Sequence, residues 1–254
     1  MDKWLLFGST ILVVLGGGLG VLALQKRQRS HWTLVCMLGA FVLQLAFLGV
    51  RGEARGACPL GDNGERLAFL AWALVLFYLL VGPTYRLSLL GLFTAPVVAV
   101  LQLMALAPGM MVEHPERVAE VNAWGEAHSA FSVLSYGSFA LAAVAGLMFL
   151  VLNRQLKEHH LNTGLFEILP PVRTLSVSVV RLTILGVVIL TVGMVSGFLM
   201  KRDGGEAHLV AALVIWAAYL ALLVVHFWRG VTPRRMSLGV IALFVLSLIV
   251  FSLV

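Results

Sequence analysis

Charge in this chain is sorted by loop, and the sorting leaves few folds open to it. Long apolar runs alternate with short connections. The odd-numbered connections are basic, holding Lys26, Arg27 and Arg29, then Arg86, then Arg154, Lys157 and Arg173, then Arg229, Arg234 and Arg235. The even-numbered connections and the two ends hold ten of the twelve acids: Asp2, Glu53, Asp62, Glu65, Glu113, Glu116, Glu120, Glu126, Asp203 and Glu206. This is the asymmetry of a polytopic membrane protein, whose cytoplasmic loops keep an excess of Lys and Arg.

Eight runs are each long enough to cross a hydrocarbon core of about 30 Å as a helix, which takes about 17–25 residues. They cover 4–24, 32–50, 67–83, 87–107, 127–152, 178–200, 207–228 and 236–253. The fold expected is an all-α, polytopic bundle of eight transmembrane helices, both termini outside, with residues 1–254 as a single integral membrane domain. With Arg181 assigned inward, eleven of the 18 Lys and Arg and two of the twelve acids fall inside, leaving that face +9. The remaining seven and ten leave the outer face −3. The basic balance is therefore an orientation signal, and no nucleic-acid partner is expected. The surroundings read as the lipids of a bacterial cytoplasmic (inner) membrane. The first run, followed by Lys26 and Arg27 with no small-residue cleavage site, reads as an uncleaved span. Loops 51–66, 108–126 and 153–177 are too short to bury cores of their own.

Cys36 lies near the inner end of the second run and Cys58 in the first outer loop. Most of the bilayer separates them, whereas a disulfide needs Cα atoms within about 7 Å, so both are expected unpaired. The central parts of the spans contain no Asp, Glu, Lys or Arg. Coupled transporters and proton relays place such charges at depth. Gly16 with Gly20, and Gly193 with Gly197, are small-residue pairs suited to close helix packing. In the outer loop, Pro115 followed by Val118, Val121 and Trp124 predicts a short interfacial helix, either a lid above His128 or a segment packed on the bilayer surface.

Histidine is left to carry chemistry. His159 and His160 fall in an inner loop, His114 in an outer loop, and His31 beside Trp32 at an interface. His128 and His208 open the fifth and seventh spans on the outer side, and His226 lies near the inner end of the seventh. Neutral imidazole ligates iron, and facing helices can present two imidazoles to one porphyrin. The alternative for each is a side chain resting at the headgroup boundary.

Four stretches resemble the cytochrome c assembly protein family, the haem-handling membrane proteins of the CcsA/ResC and CcmC type, and in particular its HemX-like branch. They are Cys58 to Glu65 running into Leu67–Trp72; His128 followed by Ser135-Tyr136-Gly137-Ser138-Phe139; Leu169-Pro170-Pro171-Val172-Arg173 leading to Gly186 and Thr191–Gly197; and Ile215-Trp216-Ala217-Ala218-Tyr219 with His226 and Trp228-Arg229-Gly230. The similarity runs from about residue 58 onward and lies in the order, spacing and sidedness of the four. It implies His128 as an outer histidine, His226 as a membrane-embedded one, and Tyr136 and Trp216 as packing neighbours. His208 has no family counterpart but lies on the side to face His128. Haem-exporting members carry a tryptophan-rich motif just before the penultimate span, where this chain has Lys201-Arg202-Asp203-Gly204-Gly205-Glu206. They also carry a second outer histidine beyond the last span, and none is present here before Val254.

The resemblance implies a haem-binding or haem-handling protein of cytochrome complex assembly, non-catalytic, with haem b as cofactor and His128, His226 and His208 as candidate iron ligands. Its partners would be haem and other membrane proteins of cytochrome maturation or of a respiratory complex. Two other readings stand beside it: an accessory, structural subunit of such a complex without a cofactor, and a small-molecule transporter, for which Gln44, Thr94, Gln102 and Ser135 are the mid-depth polar groups.

Overall fold

The computed structural model describes residues 2–26, 31–82, 88–113, 115–118, 120–157, 172–200 and 206–253, with the side chains of 88, 89, 157, 172, 206–209 and 250–253 outside the description. Eight helices follow in order: α1 (Asp2–Gln25), α2 (Trp32–Arg55), α3 (Asn63–Val81), α4 (Ser88–Ala105), α5 (Ala123–Lys157), α6 (Val172–Leu199), α7 (Glu206–Arg229) and α8 (Pro233–Leu253). No strand is present among the described residues, so the all-α expectation holds. Among the described residues, six helices (α1, α2, α3, α5, α6 and α7) are long and apolar enough to cross a membrane. Trp4, Trp32, Trp124 and Trp228 sit exposed near helix ends, where indole rings anchor at a membrane–water interface. The chain is a multi-pass membrane protein. For its sidedness, reporter fusions at Arg29 and Arg235 are expected to signal the cytoplasm, and fusions at Asp62 the outside; an inverted pattern contradicts the charge argument.

Two compact units divide the chain: residues 1–121 with 154–171, and residues 122–153 with 172–254. In the first, α1 and α2 approach closely because Gly16 has no side chain; a Cβ there would lie 2.9 Å from Cys36 Cβ. Thr33 Oγ1 donates to the Gly16 carbonyl at 3.0 Å. Deeper in, Gln102 Nε2 donates to Ser9 Oγ, and that hydroxyl donates to the Ala40 carbonyl. The glycine pair is thus a packing device inside the unit. Cys36 and Cys58 form no disulfide with one another.

The outer end of this unit departs from expectation. Helix α2 runs on past residue 50 to Arg55 and stops at Gly56, whose φ of 67° is the left-handed conformation that closes helices. Helix α3 starts at Asn63 rather than near 67, capped by Asp62 Oδ1, which accepts from the Glu65 amide at 2.7 Å. Glu65 Oε2 in turn accepts from the Gly61 amide. These extensions carry Arg51 and Glu65 into full burial, at 1% and 0% exposure. Arg51 lies 3.1 Å from Asp2, 3.0 Å from Asp62 and 2.9 Å from Glu65, and Arg55 lies 3.4 Å from the second Glu65 oxygen. Both residues fall in the span 51–66 that the sequence assigns to a loop; the charges are satisfied by one another, which is what permits their burial.

The same ion cluster ties down the described part of loop 108–126, where an interfacial helix was expected. Among the described residues of 113–122, none is helical. Arg51 Nη1 donates to the Val112 carbonyl, the Val112 amide donates to Asp62, and the Val118 amide donates to the Arg55 carbonyl. With its backbone hydrogen-bonded to the ends of α2 and α3, the loop is tied down in an irregular path.

Candidate functional site

Helix α5 opens the second unit. Asn122 caps it, its Oδ1 accepting from the Trp124 and Gly125 amides. This places His128 within the first two turns, half-buried on the side toward α6. The ring is fixed by one bond: His128 Nδ1 lies 2.8 Å from the backbone carbonyl oxygen of Gly193. A carbonyl only accepts, so Nδ1 carries the proton, and in the neutral imidazole the lone pair sits on Nε2. Metal-bound histidines are held this way, their second nitrogen donating to a carbonyl or carboxylate. The donor therefore fits iron ligation.

Gly193 earns its place sterically. A Cβ there would lie 3.2 Å from both the amide nitrogen and the hydroxyl of Ser132 on α5. Any side chain there would press α5 away by a few tenths of an ångström, and a branched one further, from the position in which the Gly193 carbonyl reaches His128. Gly193→Val is expected to part α5 from α6 locally and to release the His128 ring. The check is the ring tautomer read from the ¹⁵N shifts of imidazole-labelled protein, which should lose its Nδ1–H preference in the variant and keep it in Gly18→Ala, where a Cβ meets nothing within 4 Å.

Beneath His128 the unit is tightly built. Phe139 and Tyr219 stack at a centroid distance of 3.9 Å and an interplanar angle of 4°. Ser138 donates to the Leu182 carbonyl, and Trp216 Nε1 donates to Thr191 Oγ1 at 2.9 Å. Trp216 thus joins α7 to α6.

His226 lies at the other end of α7, one turn before its C-terminus. It is half-buried with Nδ1 unpartnered, and it lines a cavity of about 350 Å³ between α6, α7 and α8. On α7 it is eighteen residues from His208, about 27 Å at 1.5 Å per residue. His128 and His226 belong to opposite ends of the unit and are not brought together. His208 falls in the first turn of α7, and its side chain lies outside the described residues. His31 is exposed, and His114, His159 and His160 lie outside the described residues. Among the described residues no three His, Cys, Asp or Glu side chains cluster as a metal site.

The sequence profile of the Cytochrome C assembly protein family matches residues 61–254. The chain belongs to that family. Among curated relatives, cytochrome c biogenesis protein CcsA of Chlamydomonas reinhardtii is 27% identical over 85% of this chain and 65% of its own length. The protein of the same name from Pyropia yezoensis is 24% identical over 84% of this chain and 81% of its own, and that of Crocosphaera subtropica is 31% identical over 46% and 37%. The first relatives matched are covered over 37%, 35% and 65% of their length. The family match takes in α3 to α8 with both His128 and His226, while α1 and α2 precede it.

Proposed function

We propose that this chain is a haem-handling membrane protein of cytochrome c assembly, holding haem b without catalysing its attachment, in a bacterial cytoplasmic membrane with both termini outward. The observation that carries the reading is the Nδ1–H···O bond from His128 to Gly193, which leaves Nε2 as a ligand on the outer side. Family membership supports it, as do relatives named for cytochrome c biogenesis. His128 is the first axial donor in this reading and His208, opening α7, the second. His226 is the inner candidate, able to serve only a separate site. Bound haem would supply the iron porphyrin that cytochrome maturation consumes; the chain's part is to orient one imidazole and bury its ring. Partners would be other membrane proteins of maturation or of a respiratory complex.

Of the four mid-depth polar groups of the transporter reading, Thr94 donates to the Leu90 carbonyl, Ser135 to that of Ser132 and Gln102 Nε2 to Ser9, while both polar atoms of Gln44 and Gln102 Oε1 are buried without a partner.

The reading is tested in cells. A strain lacking the chain is expected to lose c-type cytochromes by covalent-haem staining of membrane proteins. Wild type should restore them, and His128→Ala should accumulate in the membrane without restoring them. Full restoration by His128→Ala contradicts the role given to that residue.

A further inference from the structure

We propose that the inner cavity of the second unit binds a phosphate group, the chemistry that the inner leaflet presents as an anionic lipid headgroup. The cavity, about 350 Å³, is at the lower end of the range of about 300–1,000 Å³ typical of ligand sites. That suits a headgroup better than a whole porphyrin. Its walls include Val180 and Ile184 of α6 and Phe227 of α7. Two of the lining residues carry a polar atom that is buried without a partner, Ser237 Oγ and His226 Nδ1. Ser237 is only 1% exposed. A buried hydroxyl left unbonded is costly, and both atoms can donate to an oxyanion.

The surroundings select for negative charge. Pro233, Met236 and Ser237 bring the N-terminal turns of α8 to the cavity, and a helix N-terminus carries positive potential. Two further cations, Arg234 and Arg235, crowd that same first turn, where the helix dipole disfavours them and an anion would relieve both. Arg181 lines the cavity from α6. Residues 172–200 and 207–254 contain five arginines and no Asp or Glu. Basic pockets between transmembrane helices on the cytoplasmic side are the setting in which phosphate headgroups are held. Val177 and Phe227 are exposed wall residues, so acyl chains can continue along an apolar surface.

The site lies apart from His128 and takes as a phosphate donor His226, the inner iron candidate of the proposed function; its test does not depend on haem. The full chain would be taken from vesicles of phosphatidylcholine containing a minor fraction of phosphatidylglycerol and examined by native mass spectrometry. One phosphatidylglycerol should survive activation that strips phosphatidylcholine. Ser237→Ala should lower the retained fraction about tenfold, the scale of one hydrogen bond to a charged group. Ser237→Asp, which sets a carboxylate against the phosphate, should abolish retention; if it does not yield a monodisperse protein, the alanine variant decides. His128→Ala should retain the lipid as wild type does. Displacement of the lipid by millimolar inorganic phosphate assigns the site to free phosphate, and resistance assigns it to the lipid. Equal retention of the two lipids with no response to phosphate, or unchanged retention in Ser237→Ala, overturns the proposal.

Discussion

Arg51→Leu is expected to loosen the outer end of the first unit and to cost roughly 3–5 kcal/mol, the usual penalty for removing one partner of a buried ion pair. The arginine is 1% exposed and faces Asp2, Asp62 and Glu65, the last of these fully buried. Without it, Glu65 keeps only Arg55 at 3.4 Å and the Gly61 amide. The loop at Val112 also loses its donor, so proteolysis between residues 112 and 122 should accelerate alongside a lowered melting temperature in detergent. Lysine should rescue poorly, because a single ammonium cannot fork to three carboxylates. Arg51→Leu combined with Glu65→Leu should recover part of the loss, since removing both charges removes the stranded one. A single variant that melts with wild type, its loop equally resistant, contradicts the burial argument.

Gly186→Val should be nearly as damaging, for a reason of shape alone. A Cβ at Gly186 would collide with Phe139 Cε1 and lie 2.7 Å from its Cδ1. That ring cannot step aside, because it is 1% exposed and stacked at 3.9 Å on Tyr219, itself fully buried. Overpacking typically costs about 1–3 kcal/mol, more where the neighbour is pinned. Thermal melts of detergent-purified protein should show a clear drop for Gly186→Val and none for Gly18→Ala, which meets open space. Equal melting of the two contradicts the packing described at the centre of the second unit.

What the sequence disclosed and what it hid follow from the kind of information each feature needs. The all-α class and the order of the helices were legible because length and apolarity are properties of a single segment; of the eight runs expected to span, six give helices long and apolar enough to cross a membrane among the described residues. All eight helices appear where the runs predict them, shifted at their ends. The loop assigned to 51–66 did not disclose the burial of Arg51 and Glu65, because that burial depends on partners from α1, α2 and α3. One local clue was present: Asp62 followed three residues later by Glu65 is a capping-box pattern and starts the helix at Asn63. The threefold spacing of Val118, Val121 and Trp124 suggested a helix, but backbone bonds to Arg55 and Asp62 outweighed a weak local period. His128 was visible as an outer helix-end histidine. The carbonyl that orients it was not, since nothing in residue type marks which backbone oxygen an imidazole will meet. Gly193 was read as a packing glycine, and it is one; the carbonyl it presents is the additional fact.

The most direct measurement is the reduced-minus-oxidised absorbance spectrum of wild-type and His128→Ala proteins purified in detergent, with haem quantified as the pyridine haemochrome. Wild type should show a Soret band with haem in simple stoichiometry to the chain. His128→Ala should lose it while keeping its helical circular dichroism, and His208→Ala should shift the spectrum toward a high-spin form. Equal haem in wild type and His128→Ala, or none in either, contradicts the haem-handling role and favours a structural subunit without a cofactor.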